Sequence, residues 1–265
     1  KTSLDYHYCT VDNSKQKKVK ITAIIPNYNH SSVISNCISG LRNQNYSDFQ
    51  VFIIDDSSSD QSVKLIKEKI SDDKRFKLVQ LKKNIGVVGV MNLGLKMTKS
   101  EFIYFGAADD FLLPNFFKNA ISRLEEQQDI SFVSLKTLIP TSKKSHFELR
   151  PIGFHEGLEI KISSNNFNSV FRKYDFLFNT GSSLIRTQAL KSNGMFNSKM
   201  QAMSDGYLLR KLSLNNGAFV IDEFGLIWNR SNKGYSVSNL LNKVKFDEAL
   251  KVVIESMKKD NFPTW

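Results

Sequence analysis

From Val19 to about residue 126, short apolar runs alternate with amphipathic windows whose apolar residues recur at helical spacing. The apolar runs have the length of strands, and each window is long enough for a helix. Continuous apolar strands separated by helices are typical of a mostly parallel sheet that is covered on both faces. The pattern therefore predicts an α/β fold with four strand–helix units, which are Lys20–Pro26 with Ser32–Asn43, Phe49–Asp56 with Gln61–Ile70, Phe76–Leu81 with Val87–Met97, and Glu101–Phe105 with Asn115–Glu126.

The second half of the chain is less regular than the first. Residues 139–164 contain a proline and several charges without a clear period, so we expect a long excursion there. Around this excursion, four segments match strand or helix patterns: strands at Ile130–Leu138, Ser183–Arg186 and Ala218–Asp222, and a helix at Ser204–Leu214.

The two ends of the chain differ from this core. Residues 1–18 are polar and irregular, and we interpret them as a tail or a linker remnant. Residues 239–265 hold most of an amphipathic helix, Ser238–Lys259, with apolar residues at helical spacing opposite lysines. Two interpretations are open for this helix: it packs on its own domain, or it docks on a membrane surface. Residues 19–238 are predicted to form a single domain.

The 265 residues carry 37 basic and 26 acidic side chains, which gives a formal net charge of +11. An excess of this size favours an anionic partner: nucleic acid, an anionic membrane surface or a phosphate-bearing ligand. Lysine outnumbers arginine, which disfavours sequence-specific nucleic-acid binding because arginine forks read base edges. No apolar run approaches the ~18 residues expected of a membrane-spanning helix. Two cysteines, Cys9 and Cys37, are too few for a disulfide framework and indicate a reducing compartment.

Polar and acidic residues follow each of the four predicted strands. Ligands of open α/β sheets bind at the carboxyl ends of the strands, so we expect these residues to line a site. The first turn contains no glycine and the chain has no Walker sequence, which excludes dinucleotide-binding and P-loop enzymes. Acidic strand ends would also repel a nucleic acid. The residues that follow the four predicted strands are, in chain order, Pro26-Asn27-Tyr28-Asn29, Asp55-Asp56, Asn84-Ile85-Gly86 and Asp109-Asp110.

Asp109 and Asp110 are adjacent carboxylates, which repel each other unless a cation or hydrogen-bond donors compensate. A hard divalent ion such as Mn²⁺ or Mg²⁺, bridging to a diphosphate, would supply that charge. The alternative is a helix cap with a solvated neighbour, since Pro114 opens a predicted helix. For Asp55 and Asp56 the alternatives are helix capping or hydrogen bonds to a nucleobase or ribose.

In order and spacing, these motifs resemble family 2 glycosyltransferases. The first part of the match comprises Ile25-Pro26-Asn27-Tyr28-Asn29, Gln44, Ile54–Asp60, Asn84-x-Gly86, Asn92-x-Gly94 and Asp109-Asp110 with Pro114. The second part comprises Ser183–Arg186, Gly194-Met195-Phe196 and Asp205 with Leu209-Arg210. The resemblance covers the chain from Val19 to Ser238.

The resemblance implies inverting transfer of a sugar from a nucleotide-sugar donor, usually a UDP-sugar, to a saccharide or lipid-linked acceptor in bacterial surface glycan synthesis. It implies a Rossmann-like, nucleotide-binding fold of the GT-A type, with residues 19–128 as the donor half and 129–238 as the acceptor half. The implied cofactor is Mn²⁺ or Mg²⁺. With the charge of +11, a cytoplasmic protein in peripheral contact with the anionic inner face of the plasma membrane is expected, without a nucleic-acid partner.

The family's functional positions fall on particular residues of this chain. The resemblance implies that Asp205 is the general base for the acceptor hydroxyl and that Asp110 binds the metal on the diphosphate. Asp56 would contact the base and Asp109 the ribose. The other implied donor-binding residues are Pro26, Tyr28, Asn29 and Asn84.

Three positions depart from the family pattern. Ala107 stands where the family often has an acidic residue, and Met91 where it frequently has arginine. These departures keep a second function open, that of a nucleotide-sugar-binding module without turnover. Lys233 stands near the place of the family's histidine, and we interpret it as a donor-binding group that neutralises the pyrophosphate. A solvated loop lysine is the alternative.

Overall fold

The structure, a computed structural model, describes residues 6–9, 19–141, 146–150, 157, 159–174, 178–229 and 241–263. Its first half repeats strand and helix as the apolar pattern predicts. In chain order it contains β1 (Tyr6–Cys9), β2 (Ile21–Asn27), α1 (Ile34–Arg42), β3 (Phe49–Asp55), α2 (Ser62–Ile70), β4 (Phe76–Leu81), α3 (Gly86–Met97), β5 (Phe102–Phe105), β6 (Phe111–Leu112) and α4 (Phe116–Glu126).

The second half has shorter elements and longer connections. It contains β7 (Phe132–Pro140), β8 (Phe147–Arg150), β9 (Ile160–Ile162), α5 (Phe167–Lys173), β10 (Ser183–Arg186), α6 (Thr187–Asn193), α7 (Ser204–Asn216), β11 (Ala218–Ile227) and α8 (Lys243–Lys259). Two 3₁₀ turns, Thr180–Ser182 and Ser198–Met203, precede β10 and α7.

The strands of the described residues form one mixed sheet. β2, β3, β4 and β5 are parallel to one another, as the repeated strand–helix units predict. β10 runs antiparallel between β5 and β7, so β7 and its parallel neighbour β11 point the same way as β2. The order across the sheet is β1-β4-β3-β2-β5-β10-β7-β11-β6, with β8 paired to β7 and β9 paired to β11.

Buried side chains cover both faces of this sheet, which confirms the predicted α/β fold. Successive residues of a strand point to opposite faces. Along β2, Ile25 therefore lies in a cluster with α1 and α4, whereas Ile24 lies in a second cluster with α3 and α7. The first cluster also fixes β6, because Gly40 of α1 lies so close to the backbone of Leu112 that a Cβ atom there would be 2.8 Å from its N and O atoms.

Three expectations about the secondary structure were wrong or incomplete. Within the expected tail, Tyr6–Cys9 forms β1, which pairs antiparallel with β4. The expected excursion at 139–164 contains β8 and β9, which extend the sheet through pairing with β7 and β11. The predicted strand Ala218–Asp222 continues to Ile227 as β11, with register shifts against β7 that the apolar pattern does not show.

The C-terminal helix α8 packs on its own domain through its inner face and its end. Ala249 is buried, and Phe262, just beyond the helix, stacks on Tyr207 of α7 with ring centroids 5.7 Å apart. Asp260 accepts a hydrogen bond from the Tyr207 hydroxyl and pairs with Lys211 at 2.9 Å. The helix therefore packs on its own domain, as the first of the two interpretations expects, while Val244, Leu250 and Ile254 remain exposed. Among the described residues, no helix is long and apolar enough to cross a membrane.

Candidate active site

The carboxyl ends of the parallel strands bring both halves of the chain to one edge of the sheet. β2, β3, β4 and β5 end there, and so do β7 and β11. Asn229, two residues beyond β11, donates its backbone N–H to Asp110 Oδ1 at 3.0 Å and its Nδ2 to the Asp109 carbonyl at 2.7 Å. The acidic pair after β5 is thus held by a residue from the end of the other half.

Hydrogen bonds between neighbouring loops fix the first two strand ends. Asn27 donates to Asp55 at 2.8 Å, so this buried amide and carboxylate hold β2 and β3 together at their ends. Asn29, in the left-handed region with φ 56°, accepts the backbone N–H of Ser59 at 2.8 Å. Of the residues implied to bind the donor, Asn29 therefore shapes the loops, while Tyr28 lies on the surface with 47% of its area exposed.

Asp56 caps the start of α3. Its two carboxylate oxygens accept the backbone N–H groups of Ile85 at 2.8 Å and Gly86 at 2.9 Å. Asn84 donates to the Asp56 carbonyl at 3.2 Å, and its Oδ1 accepts from Gly86 at 3.1 Å. Burial raises the pKa of Asp56, against the effect of the two backbone donors. The structure therefore gives Asp56 the capping role that the sequence left open, although to α3 rather than to the helix that follows its own loop.

Asp110 is the most buried acidic group at the end of β5. It is only 6% exposed, and burial raises its pKa well above the ordinary value, with the charge of Asp109 acting in the same direction. Its Oδ2 faces Gly181, where a Cβ atom would lie 3.5 Å away. A carboxylate that is desolvated beside a second carboxylate favours a proton or a cation.

Asp205 lies in the first turn of α7, where the backbone amides of a helix begin. Its carboxylate accepts the backbone N–H of Gly206 at 2.8 Å and that of Thr180. Burial raises the pKa of this group, and these amides and Arg210 oppose the shift. A carboxylate with a raised pKa is suited to accept a proton from a substrate hydroxyl.

The Thr180–Ser182 turn brings Asp205 and Asp110 together. Thr180 donates to Asp205, and the next residue, Gly181, lies against Asp110. The sequence did not point to this turn, because neither residue type is itself reactive. The one sequence feature that could have indicated this turn is its position directly before β10, next to the sheet edge where the acidic residues lie.

The described residues contain no group of three His, Cys, Asp or Glu side chains that could hold a metal ion by themselves. The carboxylates of Asp109 and Asp110 nevertheless offer the oxygen donors that Mg²⁺ and Mn²⁺ prefer in proteins. The departures from the family pattern have different surroundings. Ala107 is exposed, whereas Met91 is buried in the core between α3 and the sheet. Lys233 lies outside the described residues.

A comparison with family models decides the classification. The model described as "Glycosyl transferase family 2" matches residues 22–191, more than half of the chain. The chain belongs to glycosyl transferase family 2. The matched residues include the ends of β2, β3, β4 and β5 with Asp109 and Asp110, and the match ends before Asp205.

Several named relatives share part of this family 2 chain. The putative glycosyltransferase EpsH of Bacillus subtilis is 28% identical over 110 residues, 42% of this chain and 32% of that protein. The poly(ribitol-phosphate) beta-N-acetylglucosaminyltransferase TarS of Staphylococcus aureus is 30% identical over 122 residues, 44% of this chain and 21% of that protein. The matches thus cover a third or less of these relatives' lengths.

Solved structures share the fold at low sequence identity. S. aureus TarS 1-349 in complex with UDP-GlcNAc superposes with a TM-score of 0.72 and 21% identity, over 88% of this chain and 65% of that one. The mannosyltransferase PcManGT from Pyrobaculum calidifontis, in complex with GDP-Man and Mn²⁺, gives a TM-score of 0.65 and 16% identity, over 90% and 65%. These likenesses confirm the expected GT-A-type fold.

Proposed function

We propose that this chain transfers a sugar, with inversion, from a nucleotide-sugar donor to an acceptor hydroxyl in bacterial surface glycan synthesis. The observation that carries the proposal is the Thr180–Ser182 turn, which contacts both carboxylates: the Thr180 N–H donates to Asp205, and Gly181 lies against Asp110. Inverting transfer needs one base near the acceptor and a separate group that stabilises the leaving diphosphate. Two carboxylates from different halves of the chain fit those two tasks.

The donor is proposed to be a UDP-sugar at the ends of β2, β3 and β4. The TarS structures with UDP-GlcNAc and with UDP support the choice of nucleotide. Pro26 and Tyr28 would line the nucleoside, and Asp109 would meet the ribose. Asp56 would reach the base through lone pairs that its bonds to α3 leave free.

A divalent ion, Mn²⁺ or Mg²⁺, is proposed to bind at Asp110. When bound, such an ion would offset the negative charge of the leaving diphosphate. The buried carboxylate and its raised pKa support this assignment, as does the Mn²⁺ in the PcManGT complex. Lys233 would add a further positive charge near the pyrophosphate. Replacing Lys233 with Ala should weaken UDP binding, and unchanged affinity would contradict this role.

Asp205 is proposed as the general base that takes the proton of the acceptor hydroxyl. Its place in the first turn of α7 keeps the carboxylate near backbone N–H groups, which favour its ionised form. The acceptor would be a saccharide or a lipid-linked saccharide, and the relatives that act on poly(ribitol phosphate) support a surface polymer. The proposed location is the cytoplasm, with peripheral contact at the inner face of the membrane.

Thermal stabilisation by a panel of nucleotide sugars, with and without Mn²⁺, tests the proposal. A ligand that binds the folded state raises the unfolding temperature. We expect UDP-sugars to stabilise the protein, more strongly with Mn²⁺, and we expect Asp110→Ala to remove the Mn²⁺ increment. Absence of stabilisation by any nucleotide sugar would contradict the proposal. Stabilisation without transfer to any acceptor would favour the binding module suggested by Ala107 and Met91.

A further inference from the structure

Asn179, directly before the Thr180–Ser182 turn, holds its side-chain amide in one orientation. Its Oδ1 accepts the backbone N–H of Ser182 at 2.8 Å. Its backbone carbonyl accepts the hydroxyl groups of Ser182 at 3.3 Å and of Ser183 at 2.9 Å, so the backbone beside the amide is also held. Because an NH₂ group cannot accept the N–H of Ser182, the amide oxygen faces this N–H and the NH₂ group faces away from it.

A ligand can reach the NH₂ group of Asn179. The residue is half-buried, and no residue that the structure describes accepts a hydrogen bond from its Nδ2. The fully buried polar side-chain atoms without a partner, among the described residues, are Asn27 Oδ1, Arg42 Nε and Thr187 Oγ1. Nδ2 of Asn179 is not one of them, so it is an accessible hydrogen-bond donor.

Asn179 lies beside both carboxylates of the candidate active site. A Cβ atom on Gly181 would lie 3.3 Å from Oδ1 of Asn179 and 3.5 Å from Oδ2 of Asp110, so both side chains lie against this glycine. The next residue after Asn179 is Thr180, whose backbone N–H donates to Asp205. The accessible NH₂ group therefore belongs to the segment that connects Asp110 with Asp205.

This position indicates which part of the donor the amide would meet. In the proposed reaction, Asp110 acts on the diphosphate and Asp205 on the acceptor hydroxyl. Inverting displacement brings the hydroxyl to the face of the sugar opposite the leaving group, so the transferred sugar lies between the two carboxylates. The proposed site of the nucleobase is elsewhere, since Asp56 follows β3, and β2 and β5 separate β3 from β10 in the sheet.

The chemistry of the amide suits a sugar. Its NH₂ group donates hydrogen bonds, and the hydroxyl and acetamido oxygens of sugars accept them. Such oxygens need partners when they are buried in a site. Because the amide is uncharged, it does not repel a diphosphate as a carboxylate would, and it does not neutralise Asp110 as a lysine would.

We propose that the side-chain NH₂ group of Asn179 donates a hydrogen bond to an oxygen of the transferred sugar, either a hydroxyl or an acetamido carbonyl. Asn179 would thereby contribute to the choice of the donor sugar. The inference rests on the proposed function, since it assigns one contact within the same site.

The test compares the affinities for UDP and for a UDP-sugar, by calorimetric titration with saturating Mn²⁺ and without acceptor. The UDP-sugar is whichever of UDP-glucose, UDP-galactose, UDP-GlcNAc and UDP-GalNAc binds the wild-type protein most tightly. UDP has the nucleoside and the diphosphate but no sugar, so the ratio of the two dissociation constants isolates the contacts of the sugar. One hydrogen bond between uncharged groups changes this ratio by about two- to tenfold.

The first variant is Asn179→Ser, because serine keeps an oxygen that can accept the N–H of Ser182 and has no NH₂ group. The second is Asn179→Asp, which keeps the shape of the side chain and both turn-facing acceptors. Its added charge acts on UDP and UDP-sugar alike, because both carry the diphosphate. The matched control is Asn242→Ser at the start of α8, where Asn242 accepts the backbone N–H of Lys245 at 3.1 Å.

In both Asn179 variants, we expect the dissociation constant of the UDP-sugar to rise by about two- to tenfold relative to that of UDP. In the Asn242 control the ratio should equal the wild-type value. The unfolding temperature of Asn179→Ser, measured beside the control, should show that the capping contact with Ser182 is retained.

Two outcomes would overturn the inference. An unchanged ratio in both Asn179 variants, even if both affinities fall together, would show that the amide does not contact the transferred sugar. A ratio that rises equally in the Asn242 control would show that the effect is not specific to this site. Failure of the proposed function is distinguishable, because the wild-type protein would then bind neither UDP nor any of the four UDP-sugars.

Discussion

Replacing Asp56 distinguishes its capping role from its proposed contact with the nucleobase. In Asp56→Ala, the backbone N–H groups of Ile85 and Gly86 lose the carboxylate that lies 2.8 and 2.9 Å away. A hydrogen bond to a charged group contributes about 1.5–3 kcal/mol, so two bonds amount to about 3–6 kcal/mol. Burial raises the pKa of Asp56, which shows that keeping the charge inside offsets part of this gain. We therefore expect the free energy of unfolding to fall by about 2–4 kcal/mol.

Asp56→Asn should have a smaller effect, because its amide keeps one acceptor and turns an NH₂ group towards the second donor. We expect a loss of about 1–2 kcal/mol. The assay is urea unfolding at pH 7 without ligand, with the slope against urea checked for constancy. Asp72→Asn is the control, because the exposed Asp72 pairs with Arg42 on the surface and its loss should not be measurable.

The two roles of Asp56 predict different results. If Asp56 stabilises the fold by capping α3, both Asp56→Ala and Asp56→Asn lose stability in the absence of nucleotide. Wild-type stability in both variants, together with weaker UDP binding, would refute the capping role and leave only the contact with the base. Loss of stability without any change in the UDP affinity of the folded fraction would instead remove Asp56 from the donor site.

Two further predictions concern the loops around the site. Gly40→Ala places a methyl group 2.8 Å from the backbone of Leu112. Because a backbone cannot move aside as a flexible side chain can, Gly40→Ala should lower the free energy of unfolding by about 1–3 kcal/mol. Thermal unfolding measures this loss, and an unchanged unfolding temperature would contradict the packing of Gly40 against Leu112. Asp60 is partly desolvated, yet hydrogen bonds from Ser62 and Ser31 lower its pKa to about 2. Because the folded pKa of Asp60 is lowered, its contribution to stability is present above about pH 4 and is lost as the pH falls towards 2. Asp60→Asn should therefore reduce the fall in the free energy of unfolding between these pH values by up to about 1 kcal/mol. An acid unfolding transition identical to that of the wild-type protein would contradict this prediction.

The core of the fold was readable from apolar periodicity, because buried parallel strands are continuous apolar runs. β4 and β10 have the predicted ends. β6 and β9 were missed because two or three residues carry no period, and they exist only through pairing with β11. The expected polar tail contains β1 because backbone pairing with β4 makes it a strand.

The site was predictable where a residue directly follows a buried strand. The positions of Asp56 and Asp110 at this edge were predicted in this way, since the carboxyl ends of parallel strands meet at one edge. The parts played by Thr180, Gly181 and Asn229 were not predicted, because these residues contribute backbone N–H groups, a close approach and one amide donor rather than an acidic side chain after a strand. Such contributions depend on which segments meet in space, and residue type does not reveal that.

The most direct test of the account is transfer by Asp205→Asn under single-turnover conditions, with the donor that stabilises the wild-type protein. Asparagine keeps an oxygen that can accept from Thr180, so the folded structure and the UDP affinity should be retained. Loss of a general base should slow transfer by about 10²–10⁴-fold. We predict that outcome, with wild-type product inverted at the anomeric carbon by NMR. Transfer at the wild-type rate by Asp205→Asn, or a product with retained configuration, would contradict the account.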